Sequence, residues 1–112
     1  MTSLPMTVGE LLPTFAAELR GLLERVGRQD LAGQVVTLPV VARCTCGEDS
    51  CAHFYTTPPP QSSYPLGHST LSLPAASGTI ILDIVCGQIA AVEVLDRSDV
   101  KSVIDHYLPL KA

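Results

Sequence analysis

The sequence predicts an α+β domain in which a five-stranded, largely antiparallel sheet carries an N-terminal and a C-terminal helix packed on one face. Three observations predict it. Apolar residues recur at three- and four-residue steps near both ends of the chain, five segments between them read as extended and four of these alternate with period two, and Gly, Pro and Ser cluster where one segment gives way to the next. A length of 112 residues, 46% of them apolar and 16% charged, suits one folded domain and is too short for a regulatory domain beside a catalytic one.

In the first element Val8, Leu11, Leu12, Phe15, Leu19, Leu22, Leu23 and Val26 make one apolar stripe, with Glu18, Arg20, Glu24 and Arg25 on the opposite face. Thr7 and Glu10 have the form of a capping box. Pro13 inside a continuous helix would clash with the turn before it, so the pattern favours a first turn ending at Leu12 and a main helix that begins with Pro13. Gly27 stops that helix. After a connector over 28–33, the run from Val35 to Cys44 reads as a strand. Its even-numbered residues, Val36, Leu38, Val40, Ala42, Cys44 and Cys46, line the core face, and Pro39 marks it as an edge strand or a bulged one.

Three of the four cysteines and one of the three histidines fall within residues 43–55. A turn at Gly47 to Ser50 places Cys46 opposite Cys51 and Cys44 opposite His53, which puts four soft donors on one face of one hairpin. The return strand, Cys51 to Thr57, ends at Pro58-Pro59-Pro60, and the aperiodic stretch from Pro58 to His68 is a loop. Ser69 to Leu73 is a short half-buried strand. In the hairpin that follows, a three-residue connection through Cys86-Gly87-Gln88 turns Ile80, Leu82, Ile84, Val92 and Val94 to the core, leaving Asp83 and Glu93 on a water-facing side. A last helix starts at Ser98 as N-cap, with Asp99 in its first turn, and docks through Val100, Val103, Ile104, Tyr107 and Leu108.

Charge narrows the partners. A formal net charge of −4 with seven scattered Lys and Arg opposes binding to nucleic acid or to an anionic membrane. The N-terminal residues lack a basic segment ahead of an apolar one, and the longest apolar run, near Thr79 to Cys86, is broken by Asp83 and too short to span a bilayer. These features lead to the expectation of a cytoplasmic protein. In that reducing compartment, closely spaced cysteines point more to metal or thiol chemistry than to disulfides.

Cys44, Cys46, Cys51 and His53 are therefore candidate ligands for a tetrahedral zinc ion, with His68 as an alternative fourth ligand folding back from the loop. The spacing departs from the usual two-residue knuckle. Packing of the cysteines as small apolar residues is the simplest reading, ahead of a metal site and of a disulfide. Asp83 and Glu93 read as a solvated pair more readily than as a general acid and base. No nucleophile triad, phosphate-binding glycine loop or dinucleotide fingerprint is present, so no organic cofactor is expected.

The stretch Arg43-Cys44-Thr45-Cys46-Gly47 with Cys51, Phe54-Tyr55-Thr56 and Gly67-His68 resembles an uncharacterised family of small bacterial proteins, a domain of unknown function with a C-x-C-G-x3-C stretch. Gly78 to Val85 with Val92 to Asp96 is similar to the strand-turn-strand of such domains. The resemblance spans residues 43–99, implies a compact bacterial cytosolic domain and carries no catalytic residue across. The residues favour a non-catalytic protein-interaction or regulatory module that binds another protein or a second copy of itself. The alternative is a thiol or zinc protein centred on the cysteine hairpin.

Overall fold

The structure is a computed structural model that describes residues 4–110. Thr7 and Glu10 close the expected capping box: Thr7 Oγ1 accepts from the Glu10 N–H at 3.1 Å and Glu10 Oε1 accepts from the Thr7 N–H at 3.0 Å, starting α1, Val8–Leu11. The helix breaks at Leu12 and resumes as α2, Pro13–Arg25, with the proline in its first turn, where a missing N–H costs nothing. Phe15, Ala16, Leu19, Leu22 and Leu23 form its buried stripe. Val26, the expected last member of that stripe, is exposed.

The segment after α2 corrects the sequence reading. The connector forms a short helix, α3, Gln29–Ala32, and Val35–Thr37 is a 3-10 turn instead of the start of a strand. Residues 38–40 pair with the N-terminal segment: the Val8 N–H donates to Leu38 O at 2.7 Å and the Val40 N–H to Met6 O at 2.8 Å. These bonds occupy the backbone that a long strand would have offered to the sheet. They bury Val35, Leu38 and Val40 and leave Val36 exposed.

Five strands follow: β1, Ala42–Arg43; β2, Phe54–Tyr55; β3, His68–Leu73; β4, Thr79–Val85; and β5, Gln88–Leu95. They form one sheet of order β1-β2-β5-β4-β3 with every neighbouring pair antiparallel. The last helix, α4, is Ser98–Tyr107, with Arg97 and not Ser98 at its N-cap and no side-chain cap bond.

The turn between β4 and β5 also differs from expectation. Val85 pairs with Gln88, so the connection is the two-residue Cys86-Gly87, with φ of 51° and 80°. Two successive left-handed residues make the turn whose twist matches that of a hairpin, and glycine takes such a conformation at no steric cost. A register shift beside Asp83 and Ile84 then makes Ala90 an extra residue in β5 and brings Leu82 opposite Val92. Ile80, Leu82, Ile84, Ile89, Val92 and Val94 are all buried on one face, together with Phe54, the partner of Val92. Phe15 of α2 meets Phe54 edge-on at 6.4 Å between centroids, and Val100 and Ile104 of α4 belong to the same core.

A second phase correction concerns β1. Ala42 pairs with Tyr55 and Arg43 with Phe54, while the Val41 N–H also donates to Tyr55 O, so two residues of one strand meet one of the other. Arg43 therefore takes the apolar face, and Cys44 lies on the second face, away from the core side expected for it. The Arg43 guanidinium is held by Asp105 and by Leu108 O of the α4 end. At the other end of α4, Arg97 donates to both carboxylate oxygens of Glu18 and of Asp99 and sits 5.6 Å above the Phe15 ring. Gly78 approaches Leu95 so closely that an added Cβ would stand 2.4 Å from its carbonyl oxygen.

Leu82→Ala is expected to cost about 2–5 kcal/mol in a denaturant titration, and Ser72→Ala on the exposed edge less than about 0.5 kcal/mol. Equal effects would refute the assignment of faces.

Candidate functional site

Antiparallel pairing draws the three tip cysteines together. The Cys44 N–H donates to His53 O at 2.9 Å, the Cys51 N–H closes the turn on Glu48 O at 3.2 Å, and Cys51 bridges to Leu95 of β5. The sulfur atoms of Cys44, Cys46 and Cys51 all lie within 4.8 Å of one another. A tetrahedral zinc thiolate site needs about 3.8 Å between sulfurs, the edge set by Zn–S bonds of about 2.3 Å. The 4.8 Å limit on the trio exceeds that edge by about 1 Å, and all four cysteines are free thiols.

Electrostatics set Cys46 and Cys51 apart. Cys46 is exposed, and the backbone N–H of Glu48 turned toward its sulfur, with the neighbouring thiols, lowers its pKa. Cys51 is buried, and burial pushes it up to about 11 against the opposing effect of the His53 amide facing its sulfur. Amides two residues beyond a cysteine that point at its sulfur are the hydrogen bonds that support metal-bound thiolates. Cys86, the fourth cysteine, lies in the β4–β5 turn against Gly67 and outside this cluster.

His53 and His68 take other neighbours. His53 lies against Tyr55, with ring centroids 4.9 Å apart and planes tilted by 30°, and its Nε2 is buried without a hydrogen-bond partner. Burial lowers its pKa, which favours the neutral imidazole that a metal requires. His68 stacks on Tyr64 at 4.3 Å and places its Nε2 at 2.9 Å from Asp83 Oδ1.

That contact corrects the reading of Asp83 as water-facing. The residue is buried, only 5% exposed, with its carboxylate on His68, and it helps to raise the pKa of Glu93 on the neighbouring strand. Tyr55 and Ala91 are partners across β2 and β5, and Ala91 and Asp83 across β5 and β4, so Tyr55 and Asp83 share this second face. Glu93 and His53 lie two residues from Ala91 and Tyr55, on that same face. Sequence reasoning placed no histidine beside the two carboxylates. The signal it lacked was the pairing of β3 with β4, which brings His68 and Thr70 over Asp83.

Burial first, and then Asp83, push Glu93 up to about 7, and burial pushes Tyr64 up to about 12. No helix among the described residues is long and apolar enough to cross a membrane. Comparisons with protein-family models, with curated proteins and with solved structures return no match.

Because the folded Glu93 holds its proton to about pH 7 against 4.5 for the ordinary carboxyl, the folded state binds more protons across that window. Stability conferred by that proton is present at low pH, falls as pH rises through the window, and is level above it. In chelator-treated protein, Glu93→Gln is expected to flatten the melting-temperature profile over this range. Parallel profiles for the two proteins would refute the raised pKa of Glu93.

Proposed function

We propose that this protein is a zinc-stabilised binding module in which Cys44, Cys46 and Cys51 supply three thiolates and His53 the fourth ligand. The observation that carries the reading is the mutual approach of the three sulfurs to within 4.8 Å. Three thiolates and an imidazole form a soft donor set suited to zinc. His53 is chosen over His68 because its Nε2 is buried without a partner, whereas His68 is engaged by Asp83. As fourth ligand His53 would have to leave Tyr55, against which its ring now lies.

The role assigned to the ion is mechanical. β1 and β2 share only two residue pairs, and the tip from Thr45 to Ser50 is exposed. A bound ion fixes that exposed loop, with Glu48 and Asp49 at its end, as a rigid contact surface for another protein. Binding releases the thiol protons, Cys51 included, and adds its free energy to that of folding.

Elemental analysis of protein purified without chelator is expected to give one zinc per chain. Chelation is expected to lower the melting temperature, Cys51→Ser to abolish the metal, and His53→Ala to weaken its binding while Cys86→Ser leaves it unchanged. Protein that contains no zinc, gains none on addition and melts at the same temperature with and without chelator would overturn the proposal.

A further inference from the structure

The two edges of the sheet are unlike. β1 is two residues long and follows Pro39, whereas β3, His68–Leu73, is six residues long and contains no Lys, Arg, Asp, Glu or Pro. Its register with β4 is regular throughout. Natural edges are blunted by shortness, charge, proline or a bulge, and β3 uses none of these.

The register tells which backbone groups of β3 are free. The Cys86 N–H donates to Gly67 O at 3.1 Å, one step along the ladder from the pair His68 and Val85. Hydrogen-bonded and non-hydrogen-bonded pairs alternate in an antiparallel ladder, so Ser69, Leu71 and Leu73 direct their N–H and C=O groups to β4. Those of His68, Thr70 and Ser72 point away from it. Among the described residues no backbone hydrogen bond from another segment reaches them, and Ser69, Thr70 and Ser72 are exposed. A row of free donors and acceptors at this spacing fits another extended backbone.

We propose that β3 pairs antiparallel with β3 of a second copy, about a two-fold axis at Thr70, so that two five-stranded sheets become one continuous sheet. The strand is complementary to itself. In this register Thr70 faces Thr70 of the second copy and His68 faces Ser72, which opposes no acidic or lysine side chains and sets two threonines side by side. Leu71, half-buried at the edge, lies next to Ser69 of the second copy and gains cover. The same patch serves on both subunits, so the interface closes at a dimer. The proposal uses no group of the cysteine tip and is independent of the metal.

Sedimentation of the whole chain over a dilution series, with and without chelator, tests it. The expected result is a species of twice 11.9 kDa that dissociates on dilution in both conditions. Thr70→Pro removes an N–H that the fold leaves unused, and Ser72→Lys places a charge on the edge; both variants are expected to be monomeric with unchanged circular dichroism. A wild-type protein that stays monomeric at every concentration overturns the proposal. So does a dimer that survives both substitutions, or a monomer whose β3 pairs only with extended peptides of unrelated sequence.

Discussion

One residue of β5 decides which side of the sheet the other side chains occupy. The two-residue turn at Cys86-Gly87 would by itself set Glu93 on the face of Leu82, and the extra residue at Ala90 restores the phase that buries Val92 and Val94. Its backbone is not left wanting. The Thr56 and Thr57 N–H groups both donate to Ala90 O, at 2.9 and 3.2 Å, and buried Thr56 donates its hydroxyl to Ile89 O at 2.7 Å. A threonine inside the core is thereby explained by the irregularity it services. From this phase follow Phe54 toward the helices and Tyr55, Asp83 and Glu93 on the second face.

The elements with strong periodicity were legible: the capping box, the break at Pro13, the α2 stripe as far as Leu23 and the inward side of Ile80, Leu82, Ile84, Val92 and Val94 stand where the residues put them. What failed were quantities that alternation alone does not encode. The pattern Val36, Leu38, Val40, Ala42 reads as one strand face because nothing local reports that residues 38–40 pair with Met6 and Val8. The bulge at Val41 and Ala42 then moves Cys44 to the other face while leaving it opposite His53, so the approach of the cysteines was readable and their side of the sheet was not. Asp83 looked solvated because its partner, His68, lies fifteen residues away on a strand whose neighbour the sequence does not name.

The cysteine tip and the C-terminal helix meet at one stretch of backbone. Arg43 is buried on the apolar face, bonds Asp105 and Leu108 O, and donates its Nε to Cys44 O at 3.1 Å. The carbonyl of a cysteine thus shares a guanidinium with the end of α4, while Arg97 anchors the start of that helix to Glu18. The helix is held at both ends, and its C-terminal anchor is covalently next to the thiol cluster. The hairpin tip and the end of α4 are thus joined by a charged, hydrogen-bonded link.

Gln34 adds a temporal element. Its side-chain amide behaves as a piece of backbone, donating to Gly87 O at 2.8 Å and accepting from the Ile89 N–H at 2.9 Å, across sequence separations of 53 and 55 residues. The β4–β5 hairpin closes a short loop and can form on its own, whereas Gln34 has nothing to grasp until that turn exists and the intervening chain has been brought round it. Its bonds close loops of more than fifty residues. Bonds made only after a folding transition state act on how slowly a native sheet opens and hardly on how fast it forms, so this one side chain between two short helical turns is placed to resist the opening of the sheet.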